Sequence, residues 1–188
     1  MILPTASETR TAIEGAASFF RLDASAIAAF GAGREAVFKS FSVIIFILPV
    51  SLLIEYTIGT GTAPMPARLA RTAVNLLLHW TLFMAIVYGV LTQVGESAKA
   101  MLVLTVNNWC SALGSVLYLA PVAAVLFGIM TPPSALVFAF FTSLYLMFFH
   151  WFAAKTALGG RSGLAAGIVA IDFSLAILIG RLLGLDGG

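Results

Sequence analysis

Apolar residues run along the chain in five long blocks, each separated from the next by a short cluster of Gly, Pro, Thr or charged residues. The blocks cover about 37–58, 72–94, 100–128, 134–154 and 163–183. A helix rises about 1.5 Å per residue, so about 20 apolar residues cross the hydrocarbon core of a bilayer. The pattern therefore predicts an all-α polytopic transmembrane bundle of five spans. The breaks have turn chemistry: GTGTAPMPAR at 59–68, GESAK at 95–99, Thr131-Pro132-Pro133, and KTALGGRSG at 155–163. Pro49 lies inside the first block and predicts a kink, and Pro121 interrupts the third late in its course.

Residues 1–36 are mixed in character and form a separate N-terminal segment ahead of the bundle at 37–188. Thr5 with Glu8, and Thr11 with Glu14, fit the capping-box spacing, so a helix is expected to start here. Ile13, Ala17, Phe20, Ala24 and Ile27 recur at helical spacing and are expected to form one apolar stripe. Asp23 is placed to cap a second short helix that Gly31 ends. Such a segment either lies in the membrane interface as an amphipathic helix or caps the bundle.

Composition agrees with the pattern. The 188 residues are 61% hydrophobic and 10% charged, against about 25% charged in soluble domains. A net charge of +2, with no basic patch carrying interleaved aromatics, gives no reason to expect a nucleic-acid partner. The single cysteine, Cys110, excludes an intramolecular disulfide and a Cys-based zinc or iron–sulfur site. The N-terminus MILPTASETR has no basic region followed directly by an apolar run, so no cleaved signal peptide is expected. Ala and Gly richness points to a bacterial inner membrane.

Seven of the ten basic residues (Arg10, Arg21, Arg34, Lys39, Lys99, Lys155 and Arg161) fall on the N-terminal side of the spans, and three (Arg68, Arg71 and Arg181) on the other. The positive-inside bias then predicts a cytoplasmic N-terminus and an outside C-terminus.

Polar residues inside the blocks carry the candidate chemistry. Asp172 sits near the middle of the fifth block, where a carboxylate costs several kcal/mol unless it is protonated, paired or wet. Counting about 1.5 Å per residue from the cytoplasmic ends puts Asn107, Asn108 and Asp172 at about 12 Å and His150 at about 6–8 Å. These four form a candidate intramembrane polar cluster. Glu55, Asn75 and His79 lie toward the outer ends of the first two spans and form a candidate outer cluster. An Asp beside amides can exchange protons, which reads as a proton- or ion-sensing site; it can equally fix helix register by hydrogen bonding. His79 and His150 differ too much in depth to share one haem iron, and no cofactor or metal is expected. Gly163-xxx-Gly167, Ala85-xxx-Gly89 and Ser111-xxx-Ser115 mark close helix contacts, read first as packing within the chain.

Enzymatic readings lack residues. There is no Gly-Lys-Ser/Thr phosphate loop, no HExxH and no GxSxG. The Gly114…Tyr118…Pro121 stretch and the Tyr145–Lys155 stretch, set in five spans with an N-terminal cytoplasmic segment, resemble the Yip1-type membrane proteins over about residues 37–183. The Asp-Leu-Tyr-Gly-Pro type motif of the eukaryotic members is absent, so the resemblance assigns no site residue. The sequence leads to a non-enzymatic membrane protein acting as an accessory, assembly or membrane-organising component. The alternative is a small ion- or proton-coupled transporter or channel built around Asp172. Expected partners are membrane lipids and a larger membrane complex or further copies of the chain.

Overall fold

A computed structural model describes residues 3–184. The first two residues of the N-terminal segment and the last four of the 37–188 bundle lie outside the described residues. The helices in chain order are α1 (Ala6–Phe20), α2 (Arg34–Ser40), α3 (Ile44–Ile58), α4 (Met65–Gln93), α5 (Ser97–Leu117), α6 (Leu119–Leu126), α7 (Pro132–Ala157) and α8 (Ser162–Leu182). Short 3-10 turns occupy Ala24–Ala29 and Phe41–Val43. Five helical stretches are long and apolar enough to cross a membrane: Arg34–Ile58, Met65–Gln93, Ser97–Leu126, Pro132–Ala157 and Ser162–Leu182. The chain is an all-α, multi-pass membrane protein.

The helix bounds follow local chemistry. α4 starts at Met65, several residues before the apolar block, because Pro66 sits in the first turn, where a missing N–H costs nothing. α7 likewise starts on Pro132. α5 stops at Leu117, four residues before Pro121, because the proline ring clashes with the carbonyl at that offset. The chain then restarts as α6. α3 stays helical through Pro49, and the 3-10 turn Phe41–Val43 interrupts the span about two turns earlier.

α5 is the central helix. It packs on α1, α2, α3, α4 and α7 and buries Ala100, Val103, Leu104, Val106, Cys110 and Gly114. α8 packs on α4 and α7 alone among the longer contacts and so stands at the edge. Large side chains such as Leu78, Leu82, Phe138, Phe140, Phe141 and Leu178 point outward, as a lipid-facing surface requires.

α1 folds onto the bundle. Thr5 and Glu8 close a reciprocal capping box, and Asp23 accepts from the Ser25 N–H at 2.9 Å to cap the first 3-10 turn. The buried stripe is Ala12, Gly15, Ala16 and Phe19, one position out of phase with the one expected from Ile13 and Phe20. Small residues win that face because the 24–30 segment lies so close: a Cβ on Gly15 would come within 2.6 Å of the Ala29 Cβ. Ile13 is left exposed. Phe19 stacks on Phe30 and meets Phe152 edge-on, and the Tyr145 hydroxyl donates to the Phe20 carbonyl. Lys39 of α2 bonds Glu8 at 2.6 Å and Glu35 at 2.7 Å, fastening α1 to the first span. At the same end, buried Glu96 holds Lys99 at 3.1 Å and Arg161 at 2.7 Å, joining the 94–96 and 158–161 turns.

Candidate functional site

The midpoints of α4 and α8 meet. His79 is the central residue of Met65–Gln93, and Asp172 is the central residue of Ser162–Leu182. The His79 Nε2–H donates to Asp172 Oδ1 at 3.1 Å and lies 3.1 Å from the Asp172 backbone carbonyl. Both neighbours are acceptors, so Nε2 carries the proton. The pair is not sealed by its own chain: the His79 side chain is 23% exposed and that of Asp172 38% exposed.

A second pair lies beside it. His150 on α7 donates from Nδ1 to Asn107 Oδ1 at 3.0 Å, and the Asp172 charge acts on the His150 ring. Four polar side chains from α4, α5, α7 and α8 thus converge within the span region.

Asn108 serves a different network. Its Oδ1 accepts from Trp80 Nε1 at 2.8 Å, its Nδ2 donates to Ser40 Oγ at 2.8 Å, and the Ser40 hydroxyl donates to the Val37 carbonyl at 2.7 Å. Asn108 and Ser40 are fully buried. This chain of bonds ties α2, α4 and α5 together.

Two placements differ from the depth count. His79 belongs with Asp172, not with Glu55 and Asn75. The apolar block at 72–94 put it in the outer half, whereas the true helix reaches back to Met65 and makes it central. Asn108 does not join Asp172, because neighbouring residues on a helix point about 100° apart and only one of the two amides can face α7. Asn107 and His150, which the depth count set about 4–6 Å apart, are directly hydrogen-bonded.

At the end of the bundle carrying the 59–64 loop, Glu55 and Asn75 line a cavity of about 470 Å³. Glu55 Oε1 pairs with Arg68, at 2.7 Å to Nε and 2.6 Å to Nη2, and the guanidinium also reaches the Glu55 carbonyl at 3.1 Å. Arg68, Trp80 and Ser40 are participants that the sequence did not single out. Arg68 was legible in principle as a charge opposite to Glu55 across a Gly/Pro turn; Trp80 and Ser40 sit among apolar neighbours and carry no such mark. Among the described residues, no three His, Cys, Asp or Glu side chains are grouped to hold a metal.

Compared with protein-family models, curated proteins and solved structures, the chain gives no match.

Proposed function

We propose that the protein is a non-enzymatic membrane component that assembles with another membrane protein or with further copies of itself, the α4–α8 edge being the surface it offers. The observation that carries this reading is the open side of the His79–Asp172 pair. A carboxylate at the midpoint of a span is costly in lipid, yet the chain leaves 38% of the Asp172 side chain uncovered. Cover from a neighbouring protein removes that cost. The outward side of α8 adds to the reading: Gly163 and Gly167 are exposed, with open space where a Cβ would sit, and Ala170 is exposed as well. Small residues there let a neighbouring helix approach closely.

The test is purification in gentle detergent with native mass measurement and identification of co-purifying proteins. The wild type is expected in a stoichiometric complex, and Asp172→Ala is expected to lose it while keeping its helical content. A wild-type chain that runs as a lone monomer would refute the reading. The orientation belongs to the same proposal: in a bacterial inner membrane the N-terminus is cytoplasmic, and a C-terminal alkaline phosphatase fusion is active.

A second reading, proton-coupled transport, is favoured by the convergence of His79, Asn107, His150 and Asp172 from four helices. Here water covers Asp172 instead of protein. Proton flux into liposomes that vanishes in Asp172→Asn would select it over the assembly reading.

A further inference from the structure

The cavity beside Glu55 and Arg68 lies among helix ends. It is walled by the C-terminal turn of α3, the first turns of α4 and the 59–63 loop, with Leu136 and Ala139 of α7 opposite. Helix ends place it at the level of the membrane interface. Its walls are of two kinds. One is apolar, formed by Ile54, Ile58, Leu136 and Ala139; the other is polar and cationic, formed by Arg68, Arg71, Thr72 and Asn75.

Among the described residues, the charge balance of the polar wall is positive. Arg68 is neutralised by Glu55. Arg71 adds a further cation, its Nη1 3.5 Å from the Gly184 carbonyl, too long for a strong bond. The Asn75 Oδ1 is buried and has no hydrogen-bond partner among the described residues. An orphaned amide oxygen is costly, and rotation of the amide toward the cavity would let a ligand donor satisfy it.

We infer that this cavity binds a phospholipid head group, with the phosphodiester on Arg71, a head-group donor on Asn75, and the glycerol and upper acyl chain on the α3–α7 wall. The amphipathic walls select a lipid over a free anion, and basic pockets between spans are suited to lipid phosphates. The orphaned Asn75 oxygen selects head groups that carry an ammonium or hydroxyl donor, such as phosphatidylethanolamine or phosphatidylglycerol, over phosphatidylcholine. The inference does not depend on the mid-membrane pair.

The experiment is native mass spectrometry and thermal unfolding of the full chain in detergent. The additions are phosphatidylethanolamine, phosphatidylglycerol, phosphatidylcholine and soluble glycerol 3-phosphate. The two donor-bearing lipids are expected to be retained and to raise the melting temperature, with phosphatidylcholine bound about tenfold more weakly. Arg71→Gln should weaken retention about tenfold, the scale of one charge-assisted bond. Asn75→Leu should erase the preference over phosphatidylcholine. Arg10→Gln removes an equal charge at the far end of the bundle and should change neither. Retention that depends on Arg71 and yields to glycerol 3-phosphate would mean the same site is filled from solution. Equal retention of all three lipids, or equal loss in Arg71→Gln and Arg10→Gln, would overturn the site.

Discussion

The His79–Asp172 pair makes an asymmetric prediction for a double-substitution cycle. His79→Leu strips the ring donor from a carboxylate at the centre of a span, so the cost is set by an uncompensated charge in the bilayer, about 2–3 kcal/mol. Asp172→Leu costs less, about 1 kcal/mol, because His79 Nε2 also lies 3.1 Å from the backbone carbonyl of residue 172, which the substitution leaves in place. The doubly substituted chain has neither an orphaned charge nor an orphaned donor. It is expected within about 1 kcal/mol of the wild type, since well-packed apolar residues replace buried ion pairs at little cost. The coupling energy is then about 2–4 kcal/mol in favour of the pair. Reversible unfolding in mixed micelles or by steric trapping measures each corner. If the two single effects simply add, within about 0.5 kcal/mol, the side chains do not interact and the geometry assigned to the site is wrong.

Further expectations rest on other contacts. Asn108→Leu should cost about 1–3 kcal/mol by orphaning the Trp80 N–H, and Trp80→Phe in the same background should restore part of it; equal effects of Trp80→Phe in both backgrounds would break the proposed link. Gly15→Leu should destabilise the docking of α1 by about 1–3 kcal/mol through the clash with Ala29 and Phe30, read as faster tryptic cleavage at Arg21, and an unchanged cleavage rate would place α1 elsewhere. Leu22 holds φ at 60°, so Leu22→Gly should raise stability by about 0.5–1 kcal/mol, and a lowered melting temperature would contradict the strain. The bond from Lys39, followed by the Thr5 backbone N–H, lowers the Glu8 carboxyl to about 2. A depressed folded value means stability that is complete above the unfolded value near 4.5 and falls as pH drops toward 2. Thermal unfolding of Glu8→Gln should be flatter than wild type across that window, and parallel curves would remove Glu8 from the account.

The spans were legible because each is a long, predominantly apolar block with turn residues at its edges. The site was half legible. Asp172 stood out because an acid is expensive where it sits. Its partner did not, because proline in a first turn lets α4 begin at Met65, outside the apolar block, and that shift moves His79 from the outer half to the centre. The stripe on α1 was misphased for a related reason. Hydropathy favours Ile13 and Phe20, but close approach to the 24–30 segment favours Gly15 and Ala16, and distance of approach is a property of the fold rather than of the segment.

The adjacent amides on α5 separate two roles that a polar residue can have inside a membrane. Asn108 is fully buried, both ends of its amide are bonded, and its partners Trp80 and Ser40 do not titrate near neutral pH. Nothing in that network can change state without breaking, which is what a register-fixing bond requires. Asn107 instead bonds a histidine, and that histidine feels the Asp172 carboxylate, which is itself held by a second histidine and left partly open. At 3.1 Å and an effective dielectric constant of about 20, attraction between unit charges is about 5 kcal/mol, and desolvation takes back several kcal/mol for each ion. The two are close enough that whatever covers the open side of Asp172, protein or water, sets what the pair contributes. A structural joint would have been closed on both sides, as Asn108 is, and it is this difference that the proposed assembly reading rests on.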